Sequence, residues 1–243
     1  MPIRRFSLAM RRDYRPSTSD PADPMYKNHE FWKFFDTEAA AKLAQRERTF
    51  RKIFEYLDLV EGPVTIVETG CARLADNWAG DGQSTVLFDK YICSRDQESV
   101  CYTVDINSTS VSQCKRLVSP RVHITEDDSV HYLNVLARQF SKAEKRISCL
   151  YLDSFDLDKI YWYPSAIHHL KELAAAMRFI DAKTLVAVDD CPLNGDFVPG
   201  DGQQISFVGP VSVGGKGRLV AEYAAAAGAR TLFAEYQAGW TGF

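Results

Sequence analysis

Between residues 62 and 190 the chain alternates two hydrophobic patterns. Short continuous runs of Val, Ile, Leu and other apolar residues predict strands over 64–67, 99–104, 122–125, 147–152 and 184–188. Stretches with apolar residues at helical spacing predict helices from 83 to about 91, over 108–117 with Ser108 as N-cap, over 129–140, and over 163–180. Strands alternating with helices predict an α/β fold: a doubly wound, mostly parallel sheet with helices on both faces.

The flanks read differently. Residues 1–28 carry Arg, Ser, Asp and Pro with little apolar periodicity and predict a mobile basic tail. Residues 29–61 form an N-terminal helical extension, with an aromatic cluster at Phe31, Trp32, Phe34 and Phe35, then a helix over 37–57. Two readings of the aromatics stand side by side: packing against the sheet, or a lid closing over a substrate. Residues 62–243 make the α/β domain. Within it, 192–214 is a long Pro/Gly-rich connection, a length that marks functional covers or disordered segments. A helix over 218–227 and a last strand over 231–236 follow, with 204–208 as the candidate partner for that strand.

Composition narrows the function classes. A formal net charge of −3 supplies no basic face for nucleic acid. No apolar run approaches the roughly 20 residues needed to span a bilayer. The six cysteines are scattered, without a C-x-x-C pair, and several fall in strand-like runs. They read as reduced core thiols of a cytoplasmic protein rather than a zinc site.

The candidate chemistry lies at one end of the predicted strands. Val64-Thr65-Ile66-Val67 runs into Glu68-Thr69-Gly70, a glycine-bearing loop continues to Gly82, and Ser84 opens the next helix. Glycine lets backbone approach a ligand, and the free N–H groups of a first helical turn favour polar or anionic groups. In doubly wound sheets ligands bind beyond the carboxyl ends of the strands. Every such end here carries an acid: Glu68, Asp105, Asp127 or Asp128, Asp153, and Asp189 with Asp190. One acid at a strand end is commonly a turn-former; a whole set along one edge is not explained that way.

The loop lacks the G-x-x-x-x-G-K-[ST] of a P-loop, and the acid at Glu68 disfavours a pyrophosphate. An acid in that place suits an ammonium group. Asp105 at the end of the second strand suits a ribose diol, and Asp128-Ser129 at the third suits an adenine edge. Amine, ribose and adenine together describe S-adenosylmethionine.

The run Val67-Glu68-Thr69-Gly70-x-x-Arg73 resembles the first motif of class I S-adenosylmethionine-dependent methyltransferases. With Leu152-Asp153-Ser154-Phe155-Asp156 and Val186-Ala187-Val188-Asp189-Asp190, the chain is most similar to the macrocin O-methyltransferase group. The resemblance covers about 63–191 and implies the Rossmann-like fold of that class. It also implies that Glu68 and Gly70 line the methionine end, Ser84 meets its carboxylate, and Asp105 holds the ribose. Asp128 and Ser129 flank the adenine, and Asp153, beside the cofactor, binds Mg²⁺ with Asp189 and Asp190. The related catechol-type enzymes place a lysine base soon after the first metal Asp. Here Lys159 lies further on, so Asp153 or Asp156 is the candidate base. Carboxylate oxygens are the ligands a hard dication takes, and a hydroxyl on such an ion is a better nucleophile.

The expected activity is Mg²⁺-assisted methyl transfer to a hydroxyl of a small molecule, a sugar or a polyketide-like metabolite. A homodimer is compatible with the aromatic N-terminal segment. Three alternatives stay open: a metal-free class I methyltransferase acting on nitrogen or another nucleophile, a nucleotide-sugar transferase, and a non-catalytic binding protein.

Overall fold

Strand β1 (Thr65–Thr69), buried along its whole length, is an interior strand of a seven-stranded sheet. It pairs in parallel with β2 (Val100–Asp105) on one side and β4 (Cys149–Leu152) on the other. Strand β3 (Val122–Glu126) continues beyond β2 and β5 (Leu185–Val188) beyond β4, again in parallel. Two further strands, β6 (Asp196–Pro199) and β7 (Ile205–Val208), form a separate antiparallel hairpin. The main sheet is completed by β8 (Arg230–Ala234) and β9 (Ala238–Thr241), with β9 antiparallel to both β5 and β8. The order is β3-β2-β1-β4-β5-β9-β8. The computed structural model behind this account describes residues 28–143, 145–158, 160–192, 196–199, 205–208 and 213–243. The tail expected over 1–28, apart from Asn28, and the candidate Lys159 lie outside them.

Side-chain alternation divides the strands between two cores. Ile66, Cys149, Tyr151, Leu185 and Ala187 face one layer of helices, and Val67, Leu150, Leu152, Val186 and Val188 face the other. The first layer is α1 (His29–Phe34), α2 (Glu47–Asp58) and α4 (Ser84–Arg95). The second is α6 (Ser129–Lys142), α7 (Tyr163–Ala176) and α8 (Arg218–Ala227). The short α3 (Trp78–Asp81) lies in the loop before α4, and α5 (Ser108–Leu117) connects β2 to β3. The predicted α/β fold, doubly wound on a mostly parallel sheet, is the fold observed. No helix among the described residues is long and apolar enough to cross a membrane. All six cysteines are unpaired, and five are buried.

Three expectations are corrected, and of the two readings left open for the aromatics the packing one agrees with the structure. The helix over 37–57 is not continuous: a π-helical turn (Phe35–Ala39) and two 3-10 turns (Ala40–Lys42 and Ala44–Arg46) precede α2. Phe31, Trp32 and Phe35 are buried in the first core, with Phe31 4.4 Å from Phe54 and 5.1 Å from Tyr91 between ring centroids, so these aromatics pack rather than cover a cleft. The cap of α5 is Asn107, not Ser108; its Oδ1 accepts the N–H groups of Thr109 and Ser110 at 2.9 and 3.1 Å. The partner of the penultimate strand is β9, not the segment at 204–208. Gly239 sits in β9 where any Cβ would collide with the Phe233 ring, so a residue that weakens a strand pattern is required by packing.

Candidate active site

The turn after β1 is set by Gly70. Its φ of +80° favours glycine, and a Cβ there would lie 2.6 Å from the Asp153 carbonyl oxygen. The Gly70 N–H donates to the Val104 carbonyl at 2.8 Å. The loop therefore rests against the ends of both β2 and β4, at the point where the strand order reverses. Further along, the Ala72 N–H donates to Thr85 Oγ1 at 3.0 Å, which in turn donates to Glu68 Oε2 at 2.6 Å. The result is a narrow cleft of about 30 Å³ whose lining includes Gly70, Ser84, Asp105, Asp153 and Asp156.

Five of the ten predicted site residues thus line this cleft, and Glu68, Asp128, Ser129, Asp189 and Asp190 do not. Asp105 is oriented by two backbone donors: Asn107 N–H to Oδ1 at 2.8 Å and Cys71 N–H to Oδ2 at 3.3 Å. Asp156 is exposed and takes Arg73 on both oxygens at 3.2 Å, while the same guanidinium donates to Asp81 at 3.0 Å. Glu68 is fully buried, and its Oε1 has no hydrogen-bond partner among the described residues. Burial pushes its pKa up to about 7, against the opposing pull of hydroxyls at Ser84, Thr85 and Thr103. Asp128 caps α6 by accepting the His131 N–H at 2.8 Å, and Ser129 Oγ lies 2.9 Å from His168 Nε2. Neither lines the cleft.

Beside the cleft, Asp153, Asp189 and Asp190 converge. One oxygen from each lies within 4.8 Å of the others. Strands β4 and β5 are neighbours in register, with Leu152 opposite Val188, so the residues that follow them emerge side by side. Two cations that the sequence reading did not nominate hold these acids. Lys216 Nζ contacts Asp153 Oδ1 and lies 3.0 Å from Asp190 Oδ2. Arg46 Nε donates to both oxygens of Asp189 at 3.0 and 2.9 Å, and its Nη2 donates to Asp190 Oδ1 at 3.0 Å. The Tyr236 hydroxyl adds a 2.5 Å hydrogen bond to Asp190 Oδ1.

The electrostatics follow from burial and partners. Burial raises the Asp153 pKa well above the carboxylate range, helped by Asp189 and Asp190 and opposed by Lys216. Asp189 is also raised, by burial and by Asp190. For Asp190 burial is outweighed by Lys216, the Tyr236 hydrogen bond and Arg46, and its pKa is lowered. Lys216 is buried, which alone would lower its pKa, but Asp153, Asp190 and Asp189 raise it above the usual lysine value. It is a fixed cation, not a base.

No protein-family model matches the chain, and no curated protein matches it. Several solved structures are similar to it. The MycE methyltransferase from the mycinamycin biosynthetic pathway, in complex with Mg, SAH and mycinamycin VI, is 16% identical with a TM-score of 0.44. That match covers 69% of this chain and 38% of the MycE chain, so this chain spans well under half of that protein. The calicheamicin methyltransferase CalS11 is 12% identical over 97% of this chain and 98% of its own, with a TM-score of 0.48. DhpI, in complex with SAH, is 10% identical over 89% and 95%, with a TM-score of 0.45.

The three carboxylates have the right chemistry for a hard dication, in number and in ligand type. Their oxygens are nonetheless engaged. Among the described residues only Asp153 Oδ2 lacks a protein partner, because Lys216, Arg46 and Tyr236 take the other five. As built, the cluster fits two protein cations rather than Mg²⁺. Lys216 and Arg46 escaped the sequence reading for different reasons. Lys216 lies at the end of a connection without periodicity, where its flanks, Gly215 and Gly217, were the available signal. Arg46 sits inside an apparently ordinary amphipathic helix.

Proposed function

We propose that this chain is an S-adenosylmethionine-dependent methyltransferase acting on a hydroxyl of a small molecule, a sugar or a polyketide-like metabolite. The observation that carries the reading is the cleft at the strand-order reversal, which gathers Gly70, Ser84, Asp105 and Asp153 around one space. When bound, S-adenosylmethionine supplies an electrophilic methyl on a sulfonium. Asp105, held by two backbone N–H groups, is oriented to accept hydrogen bonds from a ribose diol. Ser84, in the first turn of α4, offers a hydroxyl and a helix N-terminus to a carboxylate.

Asp153 stands between the cleft and the acidic cluster. Its Oδ2 has no partner among the described residues, which leaves one carboxylate oxygen for the proton of an acceptor hydroxyl. Asp156, paired with Arg73, is better placed to hold the loop than to take a proton. Mg²⁺ assistance through Asp153, Asp189 and Asp190 would require Lys216 to leave the carboxylates. The metal-free reading needs no such movement, and the contacts of Lys216 and Arg46 favour it.

Calorimetry tests the cofactor assignment. The full chain is expected to bind S-adenosylhomocysteine, and Asp105→Ala to weaken that binding by about 10-fold or more, the scale of a charged hydrogen bond. Binding of a nucleotide-sugar with none of S-adenosylhomocysteine would overturn the methyltransferase reading. Failure to bind either would favour a non-catalytic protein.

A further inference from the structure

We infer that the ammonium of Lys216 is a resident cation built into the acidic cluster, taking the place a divalent ion would otherwise fill. The inference deepens the methyltransferase reading by assigning its site to the metal-independent kind. Three observations carry it.

The first is contact. Lys216 Nζ bridges Asp153 and Asp190, and these carboxylates come from the ends of two different strands. With Arg46 on Asp189 and Asp190, two positive charges face three carboxylates. The mutual repulsion that would otherwise recruit a dication is already largely offset.

The second is burial. The Lys216 side chain is only 1% exposed, whereas Asp153 and Asp190 are each 19% exposed. An incoming ion would meet the carboxylates from the open side with the ammonium already behind them. It would have to eject a buried charge or share its ligands with one, and either is costly.

The third is the backbone that delivers it. Gly215 has a φ of +50°, and a Cβ there would collide with the Asp190 carbonyl oxygen; one on Gly217 would collide with Cys191 Sγ. The Lys216 N–H donates to the same Asp190 carbonyl at 3.1 Å. The Gly215-Lys216-Gly217 turn is therefore packed beneath the residues that follow β5. It can approach so closely only because both flanking positions lack side chains. A lysine that merely happened to lie near acids would not need this local construction.

Lys216 thus acts as a positioning residue. It fixes Asp153 through Oδ1, leaving Oδ2 without a protein partner among the described residues, and it holds Asp190 through Oδ2.

The test titrates EDTA-treated, full-length protein with MgCl₂ and, separately, MnCl₂. Calorimetry follows both ions, and the paramagnetic resonance of free Mn²⁺ follows the second. Wild type and Lys216→Arg are expected to show no saturable site at millimolar ion. Lys216→Met, which frees the carboxylates, is expected to gain a site at least about 10-fold tighter, with a melting temperature that rises on adding Mg²⁺. Stoichiometric Mg²⁺ or Mn²⁺ binding by wild type, abolished by Asp190→Asn, would overturn the inference. So would a folded Lys216→Met that remains blind to both ions. If Lys216→Met does not fold, the wild-type titration alone decides. None of these readouts depends on S-adenosylhomocysteine, so a failure of the cofactor assignment is seen separately.

Discussion

Glu68 and Asp190 are both acids at strand ends, yet their surroundings push them in opposite directions. The partners of Glu68 are hydroxyls, and burial dominates, so the folded chain holds its proton up to about pH 7 instead of the ordinary 4.5. Asp190 meets Lys216, Tyr236 and Arg46, and stays ionised below the usual range. The Glu68 shift has a signed consequence for stability. Between about pH 4.5 and 7 the unfolded chain binds fewer protons at this position than the folded chain, so stability falls as pH rises through that window and levels off above it. The full effect is on the order of 3 kcal/mol. Glu68→Gln removes this dependence. Urea unfolding at pH 4 and pH 8 should show the variant gaining on wild type by roughly that amount at the higher pH. An unchanged difference between the two would show that Glu68 is not held neutral.

At the level of elements, strands β1, β4 and β5 were readable because each is a mostly apolar run, as strands buried on both faces must be, while β2 and β3, only partly buried, were marked by their Val and Ile positions. Strand β9 was not, because Ala-Gly-Trp-Thr has neither alternation nor β-branching for most of its length, and its glycine answers to Phe233 across the pair. The N-terminal helix was read too simply. Leu43, Phe50, Ile53, Phe54 and Leu57, apolar at helical spacing, are all buried. However, the π and 3-10 turns before α2, with Ala44 at a φ of +50°, change the phase of the chain and carry Arg46 to Asp189. Periodicity over a single window does not register such a change. The aromatic segment belongs to the core, which predicts the behaviour of Phe31→Ala. Chemical denaturation should show a loss of about 3 to 5 kcal/mol, the scale of a fully buried Phe. A loss below 1 kcal/mol would instead mark a segment that rests on the surface and can open.

For the molecule as a whole, topology explains why candidate residues far apart in sequence come together in space. A parallel sheet places every strand end on one edge, so acids after β2, β4 and β5 become neighbours once strand order is known. Gly70, Ser84, Asp105, Asp153 and Asp156 meet at one cleft for that reason. Asp128 and Ser129 follow β3, at the far edge, and are committed to capping α6 and to His168. What sequence order could not supply was the balance of charge. Arg46 precedes the sheet and Lys216 follows β7, so each reaches Asp190 only through the completed fold.

Diffraction from crystals grown with S-adenosylhomocysteine and MgCl₂ would examine donor cleft and charge balance together. The expected map places the nucleoside against Asp105 and the homocysteine along the Gly70 turn, with Lys216, and no ion, between Asp153 and Asp190. Adenosyl density away from that cleft, or none at saturating ligand, would contradict the account.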